Sequence, residues 1–249
     1  MTSALSRSPA PLVRPLMLAS VTTAAEARVC LAAGADIVDA KDPLSGSLGA
    51  LPVATVREIA VQAAAAGRPV SATIGDLACE PELIGVAVTE MAATGVDYVK
   101  IGFLPGSDAR TVIADLGRRD VRPARLVGVL FADLTPDFGL IAALAEAGFA
   151  GALIDTSDKS AGSLPDLMDT ARLTEFIAMA HRAGLFAGLA GSLRIDDIDA
   201  LCRLRPDILG FRGALCLDSR RTFAIDGSSV QRIRARLDVA CGTTARAAG

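Results

Sequence analysis

The sequence is short of the residues on which most nucleic-acid and metal sites depend. It has no tryptophan, one tyrosine and one histidine in 249 residues, and its formal net charge is only −3. With so little aromatic surface for stacking on bases, we expect no nucleic-acid partner. The five cysteines form no CxxC pair and have no histidine nearby, so we expect neither a metal site nor a disulfide framework; they are Cys30, Cys79, Cys202, Cys216 and Cys241.

Long hydrophobic runs are also absent. Although 51% of the residues are hydrophobic and the mean hydropathy is +0.44, no run approaches the roughly 20 residues that cross a bilayer. We therefore expect no membrane partner. Residues 1–14 carry arginine and proline without a continuous apolar core, which predicts a flexible N-terminal arm rather than a secretion signal, and hence a cytoplasmic protein.

Short apolar runs alternate regularly with amphipathic stretches along the chain. Strands are predicted at 15–21, 36–41, 69–75, 97–103, 125–133, 151–158, 185–192 and 207–214. Helices are predicted at 23–34, 53–66, 80–94, 107–118, 138–148, 172–183, 195–204 and 228–239. Eight βα units close a barrel, and no GxGxxG follows the first strand. We predict a single α/β domain, a (βα)8 TIM barrel, over 15–239 and a disordered tail over 240–249.

The scarcity of lysine points to the chemistry. Lysine and arginine together number 25, yet the only lysines are Lys41, Lys100 and Lys159. Each lies at or just after the end of a predicted strand, where barrel enzymes place their active sites. Arginine does not lose its proton near neutral pH, so a lysine is needed wherever an amine must. The lysines could be ordinary strand-end charges that reach solvent, but the position of all three favours a catalytic cluster.

Two aspartates accompany these lysines. Asp39 and Lys41 are two residues apart on one strand, so their side chains point to the same face. Burial and neighbouring ammonium groups would lower the pKa of a lysine towards the range needed for attack on a carbonyl, and Lys100 would then be the acid or base. Asp155 ends the sixth strand, with Lys159 four residues further on. Both aspartates could instead cap loops or pair with arginines.

Glycines after the last two strands indicate an anion site. Gly191 and Ser192 follow the seventh strand, and Arg212 and Gly213 follow the eighth. Barrel enzymes commonly bind a substrate phosphate between these two loops. The segment 46–49 could cradle a second phosphate, or it could form a flexible lid.

Other polar residues support weaker predictions. His181 lies near the end of a predicted helix, where a surface position is expected, although a catalytic role stays open. Asp76 and Asp133 end strands and could cap helices or line the pocket. Apolar helix faces hint at a homo-oligomer.

Six segments together resemble one known family: AGADIVDAKDPLSGSLGA, VSATIGD, GVDYVKIG, ALIDTSDK, LAGS and GFRGA. The resemblance is to the (5-formylfuran-3-yl)methyl phosphate synthases and runs from about residue 15 to 239. It implies a (βα)8-barrel lyase of methanofuran biosynthesis that needs no metal or organic cofactor. The implied substrates are triose phosphates: two molecules of glyceraldehyde 3-phosphate, or one and its dihydroxyacetone isomer, condense to 4-(hydroxymethyl)-2-furancarboxaldehyde phosphate with loss of phosphate and water.

The resemblance also implies roles for individual residues. It places the Schiff-base lysine at Lys41 and the proton-accepting lysine at Lys100, with Asp39, Asp155 and Lys159 as supporting polar residues. The alanine- and arginine-rich composition suggests a bacterial source.

The chain departs from the family at Asp42, where the family has asparagine, and this adds a charge beside Lys41. Two other functions stay open. One is a class I aldolase or related Schiff-base lyase that acts on another sugar phosphate and would give different products. The other is a catalytically silent barrel that binds a phosphorylated metabolite or a partner protein.

Overall fold

The computed structural model describes residues 14–106 and 108–246. Its strands are β1 (Leu16–Val21), β2 (Ile37–Ala40), β3 (Val70–Thr73), β4 (Tyr98–Phe103), β5 (Arg125–Phe131), β6 (Gly151–Asp155), β7 (Phe186–Leu189) and β8 (Ile208–Phe211). Its α-helices are α1 (Ala24–Ala32), α2 (Val53–Ala65), α3 (Pro81–Ala92), α4 (Ala109–Leu116), α5 (Leu140–Glu146), α6 (Leu164–Leu167), α7 (Thr170–Arg182), α8 (Ile198–Arg203) and α9 (Gly227–Arg246).

The strands pair in chain order, all parallel, and β8 pairs with β1 to close the barrel. This confirms the predicted (βα)8 fold. The short helix α6, in the long loop after β6, was not predicted from the sequence.

The two ends of the barrel domain differ from the sequence-based boundaries. Helix α9 continues to Arg246, although we predicted a disordered tail from residue 240. Each residue added to an anchored helix gains a hydrogen bond without a new nucleation cost, so the helix continues through residues of weak propensity. At the other end, the guanidinium of Arg14 pairs with Asp36 at 2.8 Å. The rest of the predicted arm, 1–13, and the end of the tail, 247–249, lie outside the described residues.

Side-chain alternation divides the barrel interior into two layers. On β2, Ile37 and Asp39 share the inward face, and on β4, Tyr98 and Lys100 do the same. The first member of each pair belongs to an apolar cluster inside the barrel, and the second lies one layer nearer the carboxyl ends of the strands. The interior is thus apolar below and charged above, which places buried charges at the end of the barrel where active sites form.

A leucine from the loop after β2 fills one side of the upper interior. Leu48 is 1% exposed and belongs to the interior apolar cluster. A Cβ atom at Gly102 would lie 2.7 Å from Leu48 Cδ1 and 3.1 Å from Phe131 Cζ, so a larger residue at this position of β4 would have to displace the Leu48 side chain. Because Leu48 and Phe131 occupy this side, the open space is lined mainly by residues of β1, β6, β7 and β8 and the loops that follow them, with Lys41 and Pro43 on the β2 side.

Candidate active site

A cavity of about 710 Å³ opens at the carboxyl ends of the strands. Its wall includes more basic than acidic side chains: Lys41, Lys100, Lys159, Arg194, Arg212, Arg221 and Arg232 against Asp39, Asp155 and Asp196. The chain as a whole carries a net charge of −3, so positive charge is concentrated at this mouth. A cavity of this kind attracts anionic ligands.

Asp155 joins two of the three lysines. Its Oδ2 accepts a hydrogen bond from Lys41 Nζ at 3.0 Å, and its Oδ1 accepts one from Lys159 Nζ at 2.5 Å. The side chain of Lys159 turns back from the loop, and its ammonium also donates to the carbonyl and hydroxyl oxygens of Thr156. The end of β6 and the residues after it therefore hold both amines at one carboxylate.

The third lysine has its own carboxylate deeper in the barrel. Lys100 Nζ lies 2.6 Å from Asp39 Oδ2, and the side chain of Asp39 is fully buried. The hydroxyl groups of Ser20 and Ser71 also donate to Asp39, at 3.0 and 2.6 Å. Each oxygen of this buried carboxylate therefore accepts a hydrogen bond from a neighbouring side chain.

Burial sets the direction of the pKa shifts in this cluster. Burial lowers the pKa of Lys100. The Asp39 carboxylate opposes this shift, and the ammonium of Lys41 lowers the pKa further. Burial likewise lowers the pKa of Lys159, against the effect of Asp155. Burial alone would raise the pKa of Asp155, but Lys159 and Lys41 hold it well below its usual range. The site thus combines a carboxylate that stays ionised with amines that lose their protons more easily than free lysine.

Three of the four residues predicted to bind phosphate line the cavity, and all three are small residues. Gly191 follows β7 with φ of +110°, and a Cβ atom there would lie 2.7 Å from the methyl carbon of Thr156. The Ser192 hydroxyl donates to the carbonyl of Lys159 at 3.3 Å. Gly213 begins a short 3-10 helix after β8. The loops after β6, β7 and β8 thus share one wall of the cavity.

The fourth predicted phosphate ligand, Arg212, has other partners. Its guanidinium donates to Glu26 at 2.6 and 3.2 Å, and to the carbonyl oxygens of Ser20, Arg221 and Phe223 at 3.1, 2.9 and 3.2 Å. These bonds engage all five N–H donors that an arginine has. In this conformation its side chain joins β1 and α1 to the loop after β8, and leaves no N–H for a phosphate.

The glycine-rich segment 46–49 is neither an open cradle nor a loose lid. The Asp76 carboxylate accepts hydrogen bonds from the backbone N–H groups of Ser47 and Leu48, at 2.7 and 3.1 Å, and from the Ser47 hydroxyl at 3.0 Å. Asp42 pairs with Gly49 across the base of the loop. The Ser47 and Leu48 amides, which could have received a phosphate, are therefore already bound to a carboxylate of the protein.

Asp133 binds backbone amides of the loop after β6, just as Asp76 binds amides of the loop after β2. It accepts hydrogen bonds from the Ser157 N–H and hydroxyl, at 2.8 and 2.6 Å, and from the Asp158 N–H at 2.7 Å. Each of these carboxylates organises a loop adjoining the lysine cluster. From the sequence, Asp76 and Asp133 were predicted only to cap helices or line the pocket. Asp42 also turns inward on its own loop, where it accepts from Leu44 N–H and the Ser45 hydroxyl.

His181 lies away from this cavity. It is in the last turn of α7, and its Nε2 lies 2.7 Å from the carboxylate of Asp207, which immediately precedes β8. That is the end of the barrel opposite the lysines.

Sequence reasoning missed several groups at the site. Ser20 and Ser71, which hold Asp39, lie in strand interiors, and their alternation with apolar neighbours could have identified them. Arg221 and Arg232 line the cavity from the segment after β8, and the position of that segment on the active-site face was the available signal.

The part of the chain that the structure describes offers neither a cluster of metal ligands nor a membrane-spanning helix. No group of three or more His, Cys, Asp or Glu side chains there could hold a metal ion. Among those residues, no helix combines the length and apolar character that crossing a membrane requires.

Comparisons with known proteins agree with the barrel and give its family. Residues 17–234 match the model of the family described as 4-HFC-P synthase. A protein of Methylorubrum extorquens is 46% identical over 217 residues, which cover 87% of this chain and 89% of that protein. The (5-formylfuran-3-yl)methyl phosphate synthase of Methanosarcina mazei is 37% identical over 219 residues, or 83% of this chain and 92% of that protein.

Solved structures with the same fold are distant in sequence. Thiamine phosphate pyrophosphorylase from Pyrococcus furiosus superposes with a TM-score of 0.61 at 8% identity, over 92% of this chain and 97% of that one. Tryptophan synthase from Mycobacterium tuberculosis superposes with a TM-score of 0.57 at 15% identity, over 90% and 93%. These two show the fold alone, whereas the family match and the closer relatives show that the chain belongs to the 4-HFC-P synthase family.

Proposed function

We propose that this protein condenses two triose phosphates into 4-(hydroxymethyl)-2-furancarboxaldehyde phosphate through a Schiff base on Lys41, as a cytoplasmic step of methanofuran-type cofactor biosynthesis. The observation that carries the proposal is the buried lysine–aspartate cluster, Lys41–Asp155–Lys159 above Lys100–Asp39, in a cavity with a basic wall. The relatives that are (5-formylfuran-3-yl)methyl phosphate synthases support the product, and the excess of basic side chains suits two phosphorylated substrates.

Lys41 is the nucleophile in this proposal. Its Nζ attacks the carbonyl carbon of one triose phosphate, and loss of water gives an iminium. Asp155 stands 3.0 Å from that nitrogen and stays ionised, so it stabilises the cationic imine. Lys159, on the other oxygen of Asp155, supplies a proton to the departing hydroxyl group.

Lys100 takes the carbon-bound proton that converts the iminium to an enamine. A general base must be unprotonated when it acts, and the lowered pKa of this buried amine favours that state. Asp39 holds the ammonium that results, and Ser20 and Ser71 hold Asp39, so the proton is received by a fixed pair of groups.

The enamine carbon then adds to the aldehyde of the second triose phosphate. Ring closure, hydrolysis of the imine and eliminations complete the aromatic furan. In total one phosphate and two waters leave two triose phosphates, so atoms balance and no oxidant or reductant is required. Lys41 is regenerated as the free amine.

The test is an assay of purified protein with glyceraldehyde 3-phosphate, in the presence of a chelator and without added cofactor. We expect the phosphorylated furan aldehyde by mass spectrometry, and a fall in its rate of formation of at least about 10⁴-fold in Lys41→Ala, since removal of a nucleophile abolishes the covalent route. Borohydride should trap substrate on Lys41 in the parent and not in Lys41→Arg.

The assay also separates the alternatives. A different carbon–carbon bond-forming or -cleaving product, again dependent on Lys41, would replace the synthase with a Schiff-base aldolase. A folded protein that gives no product and no trapped adduct with triose phosphates would overturn the proposal.

A further inference from the structure

The proposed reaction places two phosphate groups in one cavity, and the residues predicted from the sequence provide for only one of them. Gly191, Ser192 and Gly213 line the wall made by the loops after β7 and β8. The second predicted cradle, 46–49, has its Ser47 and Leu48 amides bound to Asp76. A second phosphate on the β2 side of the cavity would therefore need a cation from another part of the chain.

Arg221 lies where that cation is needed. It comes from the loop between β8 and α9, lines the cavity, and reaches across the mouth, where its Nη2 donates to the carbonyl of Gly46 at 3.2 Å. Its guanidinium interacts electrostatically with Asp155 and Asp42. The contact with Gly46 is with a neutral oxygen, which leaves most of the five N–H donors of an arginine for a ligand.

The loop that carries Arg221 is built to hold its backbone in place. Cys216 and Ile225 pair across the base of the loop, and Leu217 N–H donates to the carbonyl of Ala224 at 3.0 Å. Inside the loop, Arg212 binds the carbonyl oxygens of Arg221 and Phe223. Arg212 is in turn fixed by Glu26, so this partly buried ion pair helps to position Arg221.

The charges around Arg221 are unbalanced in favour of an anion. Asp155 already serves Lys41 and Lys159, and Arg212 and Lys100 have Glu26 and Asp39 as partners. Asp42 is engaged with Leu44 and Ser45 within its own loop. An added phosphate dianion would offset the excess positive charge beside Lys41, Lys159 and Arg221, and a guanidinium can hold it with two parallel hydrogen bonds.

We propose that Arg221 binds a substrate phosphate on the β2 side of the cavity, where its contact with Gly46 joins the loops after β8 and β2 at the mouth. This deepens the proposed function and rests on it only for the identity of the substrate. Arg212 acts indirectly, as the positioning residue of Arg221.

Neighbouring arginines provide a matched pair for the experiment. Arg220 is exposed, and its guanidinium lies 4.4 Å from the centre of the Phe223 ring. Arg221→Gln and Arg220→Gln remove the same charge from adjacent positions of one loop, so any general effect of charge or loop stability appears in both variants. Arg221→Lys keeps the charge and removes the two-pronged geometry.

Two measurements test the proposal: calorimetric titration with inorganic phosphate, which requires no turnover, and the KM for glyceraldehyde 3-phosphate. Loss of hydrogen bonds to a charged group predicts phosphate affinity weaker by about 10- to 100-fold in Arg221→Gln, with KM raised to a similar degree. Arg221→Lys should fall between Arg221→Gln and the parent, and Arg220→Gln should lie within about twofold of the parent.

Equal phosphate affinity in the parent, Arg221→Gln and Arg220→Gln would overturn the phosphate role of Arg221 even if furan is formed. If no furan is formed but phosphate binding still depends on Arg221, the anion site stands and the condensation fails. A thermal unfolding profile shows whether each variant is folded. If Arg221→Gln is not folded, the phosphate titration of Arg221→Lys decides. A phosphate affinity of Arg221→Lys equal to that of the parent would contradict the two-pronged contact.

Discussion

Aspartates lie at both ends of this barrel, and they have different partners at the two ends. At the amino ends of the strands, Asp36 and Met17 exchange hydrogen bonds: the Asp36 N–H donates to the Met17 carbonyl, and the Met17 N–H donates to the Asp36 carboxylate. Asp97 with Val70, and Asp207 with Ala187, repeat the same exchange. These aspartates join neighbouring strands.

At the carboxyl ends two aspartates face lysines instead. Asp39 and Asp155 point into the interior, and each holds an ammonium group within 3.0 Å. The amino-end aspartate Asp36, by contrast, pairs with arginines, which do not lose their protons near neutral pH. The type of basic residue beside a carboxylate therefore distinguishes a structural from a catalytic role. Arginine partners fix the structure, and lysine partners keep proton transfer available.

The strongest way to test this contrast is at Lys100. We expect Lys100→Gln to lower kcat by about 10²- to 10⁴-fold, because the variant lacks the base that removes the carbon-bound proton while glutamine can still donate to Asp39. Borohydride trapping on Lys41 should persist, since imine formation precedes the lost step. Rates of furan formation and the extent of trapping are the two measurements.

The pH dependence provides the control for that variant. Burial lowers the pKa of Lys100 and the Asp39 carboxylate raises it, so Asp39→Asn should lower that pKa further. Because the base acts when deprotonated, the ascending limb of log kcat/KM should move to lower pH in Asp39→Asn. A limb that stays in place in Asp39→Asn, or trapping lost in Lys100→Gln, would contradict the assignment of Lys100 as the base.

At the other end of the barrel, Asp36→Ala should reduce stability and leave kcat unchanged. Asp36 is buried and binds Arg14, Arg234 and the Met17 N–H, so we expect the free energy of unfolding to fall by roughly 3 kcal/mol at neutral pH. Asp97→Ala is the matched control; Asp97 is exposed and binds the Val70 N–H, so the expected loss is about 1 kcal/mol. Denaturant unfolding measures both.

The sign of the pH dependence follows from the pKa of Asp36. Burial alone would raise it, but Arg14, the Met17 N–H and Arg234 bring it below the ordinary value. A carboxyl whose folded-state pKa is depressed contributes stability above its unfolded pKa and loses that contribution as the pH falls through its folded pKa. The difference in the free energy of unfolding between the parent and Asp36→Ala should therefore become smaller as the pH falls into the acidic range. A gap that is constant from neutral to acidic pH would indicate that the ion pairs contribute nothing.

The sequence was informative where a local pattern determines the structure. Apolar periodicity predicted every strand of the barrel, and strand-end position predicted that Lys41, Lys100 and Lys159 would lie on one rim. The pairing of Lys41 with Asp155, and of Asp39 with Lys100, was not predicted. The sequence could not predict that Asp76 would bind the Ser47 and Leu48 amides. Nor could it pair Arg212 with Glu26, because residues at opposite ends of the chain meet only when β8 closes against β1.

The smallest effect is expected at His181, which lies at the amino ends of the strands, away from the lysines. Its ring bonds to Asp207 at the amino end of β8, and its side chain is 41% exposed. We expect His181→Gln to change the free energy of unfolding by at most about 1 kcal/mol, as for exposed pairs, and to leave kcat and the pH profile of furan formation unchanged. A loss of activity without a loss of stability in His181→Gln would mean that the chemistry is not confined to the lysine end of the barrel.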